Sequence, residues 1–509
     1  MLQKTYCATC IGINAVTVTV EMDLSTGIGL HLVGLPDSAV RESLLRVVTA
    51  LNSYGFSIPG RKVVVNLAPA DIRKEGSSYD LAIAIGLLAV SQQVDMPLCS
   101  GFILVGELAL DGRIRPVSGA LPIAVHAREA GFRGCVFPSS SAWEAADIEG
   151  IEIFGVDTLS QAIDILRGAD CRDLLVRPFI GDDEAPSDEA PDFKYVKGQK
   201  VARRGLEIAA AGAHSVLLTG SPGSGKSLMA SCLPSILPPM SREESIETST
   251  IYSIAGYGCK GGLMRRRPFR TPHHSSSIVS LIGGGQNSIP GEISLSHNGV
   301  LYLDEVAQFS RVMLDSLRQP LEDGKVTISR LKYKVEYPSS FMLVASMNPC
   351  PCGYHGDGTG RCRCTRNMVD RYQDRLSGPF LDRIDLQIFC QPLSENEMVD
   401  EAVCESSAEI ARRVVAARQI QARRFEGEAI FTNSQMNASQ IERYCVTGSA
   451  EKAFLKEVVR KLGLSARAYS RILKLARTIA DLEGNNLLTL HNISEAVQYR
   501  SLDRRKTDD

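Results

Sequence analysis

Residues 220–227 have the types and spacing of a loop that binds phosphate. They read GxxxxGKS, and a short apolar run at residues 215–219 comes directly before them. In this motif the glycines let backbone N–H groups turn toward phosphate oxygens, the lysine reaches the β- and γ-phosphates, and the serine hydroxyl ligates Mg²⁺. A chance glycine-rich turn would not place every fixed position in a strand–loop–helix setting. The sequence therefore predicts an ATP–Mg²⁺ site formed by Gly220, Ser221, Pro222, Gly223, Ser224, Gly225, Lys226 and Ser227.

A second apolar run, residues 299–303, ends in the two acids Asp304 and Glu305. A run of this length and composition is typical of a buried parallel strand. Ligands of parallel sheets bind at the carboxyl ends of the strands. We therefore expect Asp304 to hold Mg²⁺ and Glu305 to polarise the attacking water. A strand that ends in a solvated acidic turn would look the same in isolation, but the phosphate-binding loop favours the catalytic interpretation.

An amide and two arginines follow at positions suited to the same chemistry. Asn348 comes after a third apolar run, residues 340–346, and could orient the attacking water. Arg383 lies in the segment 376–385, which contains Leu-Asp-Arg-Ile-Asp, and Arg467 lies at the start of a basic and apolar helix. Arginines can stabilise the charge on a transferring phosphoryl group. Arg375 is the alternative to Arg383, and a plain surface position is the alternative for Arg467.

Together these motifs resemble those of AAA+ ATPases, within them the magnesium-chelatase-like branch, and specifically the ComM/YifB family. The resemblance extends from the amino terminus to about residue 500. It implies an α/β protein with a Lon-protease-like α+β domain, a P-loop core built on a parallel sheet, and a carboxyl-terminal helical lid. It also implies a homo-hexameric ring in which Arg383 is a finger that reaches the ATP of a neighbouring subunit. Arg467 would be the second sensor of the nucleotide.

Length and charge restrict the classes of protein that need to be considered. A chain of 509 residues holds two to four domains, and its formal net charge of −2 means that any DNA site must be a local patch. No apolar run reaches the ~18 residues of a membrane span, and the first residues lack a signal-peptide core. Fourteen cysteines without a secretion signal favour a reduced protein. We therefore expect a cytoplasmic protein without membrane partners.

An acidic segment interrupted by prolines divides the chain. Residues 181–192 have no apolar periodicity and cannot bury a core, so they are typical of a linker. From this boundary and the family resemblance, we predict a Lon-protease-like domain of the ChlI type at 1–168, an acidic linker at 169–194, a magnesium-chelatase-like AAA+ core at 195–395 and a helical lid at 396–509.

The first domain is expected not to be a protease. Ser78 falls where Lon-type proteases carry their nucleophilic serine, and a Ser–Lys protease also needs a lysine base. By the resemblance that lysine would lie near Leu121 or Ile123, but the sequence has no lysine between Lys74 and Lys194. A module for assembly or DNA contact is therefore favoured.

A basic segment between the P-loop helix and Asp304 could contact DNA. Residues 248–291 contain no acid, and aromatic residues are interleaved with bases, as on surfaces that track a nucleic-acid backbone and stack bases. A flexible solvated loop is the competing interpretation. The bases of the segment are Lys260, Arg265, Arg266, Arg267 and Arg270.

A predicted β-hairpin at residues 326–337 offers a second DNA contact. Its tip carries Lys332 and Lys334, which would bind phosphates if the hairpin entered a central pore, as in helicases that the family resembles. An exposed hairpin could carry the same lysines for solubility alone.

Two CxC pairs separated by nine residues form the only dense cysteine cluster. Four thiolates, those of Cys350, Cys352, Cys362 and Cys364, can close a tetrahedral zinc site. Free buried thiols and a redox-sensitive loop remain alternatives, and in a reduced compartment zinc is preferred over disulfides.

The resemblance implies an ATP-driven DNA helicase that promotes branch migration of recombination intermediates in natural transformation. Its partners would be branched or single-stranded DNA, other copies of the chain and recombination proteins. The alternatives are the motor subunit of a magnesium chelatase and an ATP-gated DNA-binding scaffold that does not translocate. The Lon-like first domain argues against the chelatase. The motifs alone predict an ATPase.

Overall fold

The computed structural model describes residues 2–178, 191–258, 261–285, 288–329, 334–393, 397 and 404–500. The protein is a mixed α/β structure with one large sheet in each of two domains and a helical region at the carboxyl end. Residues within both ends of the predicted linker 169–194 pack against their neighbouring domains. Val176 donates its backbone N–H to Ile153, and Phe193 is fully buried in the second domain.

The first domain is built on a mixed sheet. The strand Gln3–Ile11 pairs antiparallel with Asn14–Ser25, which pairs antiparallel with Lys62–Ala68, and the other neighbours are parallel. In spatial order the strands are Gly29–Val33, Lys62–Ala68, Asn14–Ser25, Gln3–Ile11, Phe102–Leu104, Gly134–Pro138 and Glu152–Val156. A small hairpin joins Glu107–Leu108 to Ile114–Arg115. The helices are Ser38–Ser53, Asp80–Val90, Ala120–Glu129, Ser139–Ala142 and Leu159–Arg167.

The helix Asp80–Val90 forms the centre of this domain because it is apolar on nearly every face and almost completely buried. Its first residue, Asp80, is also buried, and its carboxylate accepts hydrogen bonds from the Arg46 guanidinium, the Ser43 hydroxyl and the Leu108 N–H. Burial raises the pKa of Asp80, although these hydrogen bonds oppose the rise. A buried carboxylate with this many partners fixes how the helix begins.

The second domain contains a sheet in which all neighbouring strands are parallel. Its spatial order is Phe269–Arg270, Val300–Leu303, Met342–Met347, Val216–Gly220 and Leu386–Cys390. Strands covered on both faces by helices are expected to be apolar throughout, and every residue of Val216–Gly220 and Val300–Leu303 is buried. The carboxyl ends of these strands therefore meet at one edge.

Helices and short hairpins surround this sheet. The hairpin predicted before the third apolar run is present, since Lys325–Ser329 pairs antiparallel with Lys334–Pro338. Another short pair joins Gly283–Gly284 and Ile289–Pro290. The helices are Lys200–Gly212, Lys226–Cys232, Arg242–Ile254, Ile278–Ile282, Glu292–Leu295, Arg311–Ser316, Arg318–Asp323, Arg366–Gln373 and Gly378–Leu381.

The carboxyl-terminal region is helical and shares a hydrophobic core with the second domain. Its interior holds a charged network in which the buried Asp481 carboxylate accepts from Arg424, Arg477 and Asn433. The helices are Ser407–Arg424, Ala438–Tyr444, Ser449–Leu462, Ala466–Leu482 and Leu490–Gln498.

The first domain contacts the helix Arg242–Ile254 and the chain that follows it. Gly119 donates its N–H to the Ser253 carbonyl, Ser253 donates its hydroxyl to Glu144, and Leu263 donates its N–H to the Asp147 carboxylate. Burial in this contact raises the pKa of Glu144 to about 7, although the Ser253 hydrogen bond opposes the rise. The docked state therefore takes up a proton at Glu144 that an exposed glutamate would not hold.

This uptake makes the contact between the domains pH-dependent. The docked pKa of about 7 lies above the ordinary value of 4.5, so docking weakens as pH rises from about 4.5 to 7 and changes little above that. Glu144→Gln should remove the dependence, since the amide stays neutral and can still accept from Ser253.

Hydrogen exchange of residues 253–258 at pH 6 and pH 8, corrected for the intrinsic rate, measures this effect. Glu149→Gln is the control, because that carboxylate pairs with Arg242 nearby but is mostly exposed. An unchanged pH dependence in Glu144→Gln would show that another group is responsible.

Candidate nucleotide-binding site

The predicted phosphate-binding loop joins the strand Val216–Gly220 to the helix Lys226–Cys232. Gly223 and Gly225 have φ values of +78° and +82°, and a Cβ on either would meet no neighbour within 4 Å. These glycines are therefore required by the left-handed backbone, which turns the loop around a concave surface. Gly220 is required by packing instead, since a Cβ there would collide with the Cys390 carbonyl of the adjacent strand.

The structure brings Lys226 and Asn348 together. The Lys226 ammonium donates to the carbonyl oxygens of Gly220 at 2.8 Å and Ser221 at 3.0 Å, and to Asn348 Oδ1 at 3.3 Å. Burial lowers the pKa of Lys226, while Asp304 and Glu305 act in the opposite sense. A cation and an amide thus lie next to each other at the carboxyl edge of the sheet.

Ser227 and Asp304 meet at the same edge. Ser227 Oγ lies 3.3 Å from Asp304 Oδ2. The hydroxyl of Tyr302 lies 2.9 Å from Asp304 Oδ1, 3.1 Å from Ser227 Oγ and 3.2 Å from Ser346 Oγ. Burial opposes the ionisation of Asp304, but hydrogen bonds from Ser346, Tyr302 and the Glu305 N–H outweigh it and lower the pKa of Asp304. The carboxylate is therefore charged and held in one orientation.

Tyr302 and Ser346 are site residues that the sequence did not reveal, because both lie inside apolar runs. A signal was present in the strand period: Tyr302 lies two residues before Asp304 and so faces the same side. The strands Val300–Leu303 and Met342–Met347 pair in a register that brings Ser346 beside them. Burial raises the pKa of Tyr302 to about 12, so it stays a neutral hydrogen-bonding group.

Glu305 lies at the end of this edge in a left-handed backbone conformation, with φ at +50°. Its N–H donates to Asp304 Oδ1 at 3.0 Å and to Ser346 Oγ at 3.3 Å. Non-glycine residues in this conformation are often found at functional positions. The Glu305 side chain is exposed at the mouth of the site.

Arg383 lies at the opposite edge of the sheet. Two residues later, Asp385 donates its N–H to Ser215, which precedes the strand Val216–Gly220. The strand has five residues, so its two ends are four steps, or about 13 Å, apart at 3.3 Å per residue. The Arg383 side chain is 8 % exposed and ion-pairs with Glu322. Arg383 therefore does not reach the phosphate-binding loop of its own chain.

Arg467 shares a groove with Arg383. The groove is lined by Glu322, Asp382, Arg383, Ala466, Arg467, Ser470, Arg471 and Lys474. Arg467 is exposed there, and burial lowers the pKa of both Arg471 and Lys474. The alternative residue Arg375 lies elsewhere, with its guanidinium 3.4 Å from the Ala307 carbonyl. The structure thus groups Arg383 with Arg467 and leaves Arg375 apart.

Models of the magnesium chelatase subunit ChlI match most of the chain. The family model described as "Magnesium chelatase, subunit ChlI" matches residues 192–398. The model "Subunit ChlI of Mg-chelatase" matches residues 20–141, and the model "Magnesium chelatase, subunit ChlI C-terminal" matches residues 404–500. The YifB protein of Salmonella typhimurium is 42% identical over 497 residues, which cover 97% of this chain and 96% of the relative. The competence protein ComM of Haemophilus influenzae is 41% identical over 504 residues, with coverage of 98% and 97%.

The chain belongs to the ComM/YifB family. The resemblance inferred from the motifs is therefore confirmed. A weaker match is to Lon protease 2 of Bacillus subtilis, 26% identical over 142 residues, which cover 28% of this chain and 24% of the relative. This match is too short to assign an activity to the first domain.

The first domain of this ComM/YifB-family protein offers no lysine to Ser78. Leu121 and Ile123, where the resemblance places the base, are buried apolar residues. Lys74 is fully buried, and its ammonium donates to the carbonyls of Pro69 and Ile72. The chemistry of a Ser–Lys dyad is therefore not supported by these side chains.

Two arginines of the basic segment form ion pairs within the chain, which the composition of the segment did not indicate. Arg267 pairs with Glu244 at 2.7 Å and also donates to the carbonyls of Pro238 and Asn298. Arg270 pairs with Glu292 at 2.7 Å. Both partners, Glu244 and Glu292, lie just outside the segment 248–291, which contains no acid. Arg267 and Arg270 are therefore corrected from DNA candidates to residues that stabilise the domain.

Arg265 and Arg266 are exposed and stay candidates for DNA contact. Lys260 and Lys332 lie outside the described residues. Lys334 is described, and its ammonium lies 3.2 Å from the carboxylate of Glu336, which is two residues further along the same strand, on its exposed face. No helix in the described part of this ComM/YifB-family protein combines the length and apolar character needed to cross a membrane.

The Tyr302 hydroxyl gives a direct test of the magnesium end of the site. Tyr302→Phe removes the hydroxyl 2.9 Å from Asp304 Oδ1, one of the hydrogen bonds that orient this carboxylate. Because loss of such a supporting contact typically weakens metal binding by 10–100-fold, the Mg²⁺ concentration for half-maximal ATP hydrolysis should rise at least about tenfold.

The measurement is a Mg²⁺ titration at fixed ATP. Tyr337→Phe is the matched control, since that buried hydroxyl donates to the Ser288 carbonyl and has no contact with the site. An equal shift in both variants, or none in Tyr302→Phe, would contradict the assigned role.

Proposed function

We propose that this protein is a ring-forming AAA+ ATPase that moves on DNA and promotes branch migration of recombination intermediates in natural transformation. One observation carries the proposal: the groups suited to ATP–Mg²⁺ lie at one edge of the sheet, and the Arg383–Arg467 groove lies at the other. A competence protein among the full-length relatives supports the pathway. We place the activity in the cytoplasm, with homo-hexamers, branched or single-stranded DNA and recombination proteins as partners.

The donor set at the carboxyl edge fits Mg²⁺. A hydroxyl and a carboxylate, Ser227 and Asp304, are hard oxygen ligands, and Mg²⁺ would neutralise charge on the β- and γ-phosphate oxygens. Lys226 would bind the same phosphates, and Asn348, beside its ammonium, would orient the attacking water. Glu305 would accept a proton from that water at the exposed mouth of the site. The fixed orientation of Asp304 sets the geometry of all these steps.

The arginine groove supports a shared site between subunits. Arg383 and Arg467 lie too far from their own Lys226 to contact the same phosphate, yet they line a common cationic groove. Within the described residues, the buried Nε of Arg383 has no hydrogen-bond partner, so a donor is left for a ligand oxygen. In a ring, each groove would bind the γ-phosphate held by the next subunit. Such arginines can raise turnover by ~10³–10⁵-fold.

The family names also favour an alternative, a motor subunit of a magnesium chelatase. The matched models carry that description over most of the chain. A chelatase motor and a DNA motor share ATP hydrolysis but differ in what stimulates it. A DNA-bound scaffold without translocation is the other alternative, and it would bind DNA without moving it.

The deciding experiment measures ATP hydrolysis and branch movement on a synthetic four-way junction. The purified full-length chain should hydrolyse ATP faster with the junction than without it and should convert the junction to separated duplexes. Glu305→Gln is the control, which should bind ATP and DNA but neither hydrolyse nor convert. An ATP hydrolysis rate that is the same with and without the junction would favour the chelatase. Stimulation without conversion would favour the scaffold.

A mixing experiment tests action between subunits. Arg383→Ala and Lys226→Ala should each be inactive alone, but mixed rings would contain interfaces with an intact lysine on one side and an intact arginine on the other. Some hydrolysis should therefore return on mixing. Because Arg383 also pairs with Glu322, the substitution could affect folding. The fold and the assembly of the Arg383→Ala variant are therefore checked by thermal melting and size-exclusion chromatography.

Arg375→Ala, mixed in the same way, tests the alternative finger. Recovery with Arg375→Ala but not with Arg383→Ala would transfer the role to Arg375. No recovery with either variant, in rings of confirmed size, would argue against a shared site.

The exposed pair Arg265 and Arg266 should contribute to DNA binding through phosphates. Replacing both by alanine should weaken binding to every sequence and should lower the slope of log K against log salt by about 0.7 to 0.9 per lost contact. The matched control is Arg113→Ala with Arg172→Ala, which removes the same charge from exposed positions of the first domain. Fluorescence anisotropy over a salt series measures both. Equal slopes in the two double variants would remove Arg265 and Arg266 from the DNA path.

A further inference from the structure

The four clustered cysteines have the geometry of a metal site. Their Sγ atoms all lie within 4.8 Å of one another. Cys350 Sγ lies 3.3 Å from Cys352 Sγ and 3.8 Å from Cys362 Sγ, and Cys352 Sγ lies 3.6 Å from Cys362 Sγ. In a tetrahedron with zinc–sulfur bonds of about 2.3 Å, neighbouring sulfurs are about 3.8 Å apart. The four sulfurs are therefore close enough together to share one ion.

The chemistry of these ligands selects a thiophilic ion. Four sulfurs exclude Mg²⁺ and Ca²⁺, which prefer oxygen, and favour zinc or an iron–sulfur centre. Disulfide-bonded sulfurs would be about 2.05 Å apart, and these are well beyond that distance. His355 lies near the cluster, with its Nδ1 4.0 Å from Cys362 Sγ, but the sulfurs of Cys350, Cys352 and Cys362 are closer to one another. A complete set of four protein ligands is typical of a structural rather than a catalytic zinc site.

The loop that carries these cysteines contacts the phosphate-binding loop. It begins directly after Asn348, the residue beside the Lys226 ammonium. Gly353 lies within it at φ +87°, and a Cβ there would lie 2.7 Å from Pro222 Cδ and 2.8 Å from Pro222 Cγ. Gly353 is buried against Pro222 without room for a side chain. One wall of the phosphate-binding loop is thus formed by the cysteine loop.

We propose that Cys350, Cys352, Cys362 and Cys364 bind one Zn²⁺ ion, and that this ion holds the loop 350–364 against Pro222 so that the phosphate-binding loop keeps its shape. Zinc replaces the packed core that a glycine-rich loop of this length lacks. The metal site rests on the thiols alone. The effect on nucleotide binding rests on the proposed function of the Lys226 site.

The metal is identified in the unmodified full-length chain. Elemental analysis of protein purified without added metal should find one zinc per chain, and a mercurial thiol reagent should release it. After exchange with Co²⁺, the visible absorption should be that of a tetrahedral site with four thiolate ligands. Absence of zinc, iron with acid-labile sulfide in its place, or a Co²⁺ spectrum with a nitrogen ligand would overturn the proposed ligand set.

A cysteine double variant tests whether the site holds the loop. Cys362→Ser with Cys364→Ser should lose the zinc and raise the Kd for ATP about tenfold, the equivalent of about one well-placed hydrogen bond. Cys404→Ser is the control, a half-buried free cysteine outside the cluster that should change neither quantity. Zinc retained at one per chain in the double variant would overturn the site. Zinc lost with an unchanged Kd would overturn its effect on nucleotide binding.

A glycine pair separates the contact from the metal and does not require removal of any ligand. Gly353→Ala should keep the zinc but weaken ATP binding, because the new Cβ would push against Pro222. Gly358→Ala is the matched control: its φ is +76°, and a Cβ there meets nothing within 4 Å. Equal ATP affinity in the two variants would overturn the contact. If the parent chain itself binds no ATP, the proposed function fails while the zinc result stands.

Discussion

The pairing of one strand with two neighbours determines most of this structure. The strand Val216–Gly220 lies between Met342–Met347 and Leu386–Cys390, and both pairings are parallel. One neighbour therefore ends in Asn348 at the phosphate-binding loop, while the other begins just after Arg383 at the far edge. Because the chain enters and leaves the sheet at fixed ends, the placement of catalytic groups follows from strand direction. Helices on both faces keep these strands dry and apolar.

Placing Arg383 and Arg467 away from Lys226 changes what the folded chain can do alone. Under the proposed function, a phosphate held by Lys226 would meet Ser227, Asp304 and the nearby amide, but no arginine from the groove. A second copy can supply that charge without any change in the fold of either chain. Within the single chain, Arg383 forms an ion pair with Glu322, so its buried guanidinium is not left without a counter-charge. In the proposed ring, assembly and catalysis would be linked by the position of these two side chains.

Local motifs could be inferred from the sequence, whereas contacts between distant segments could not. The phosphate-binding loop, the acidic strand end and the hairpin each lie within a short stretch, and the family membership they indicated is confirmed. Arg267 and Arg270 were misread because their partners, Glu244 and Glu292, fall just outside the segment whose lack of acids was the argument. The assigned catalytic roles stay predictions, since geometry alone does not measure them.

The basic segment 248–291 contacts both the first domain and the side chains around Asp304. Within the segment, Leu263 donates its N–H to the Asp147 carboxylate of the first domain. Further along, the ring of Phe269 stacks on Tyr302 with centroids 5.9 Å apart, and Tyr302 contacts Asp304. The segment therefore contacts the first domain at one point and the side chains around Asp304 at another. Contact alone does not establish energetic coupling. Phe269 contacts this group of side chains through Tyr302, so any effect of the first domain on Asp304 along this route would pass through the Phe269–Tyr302 stack.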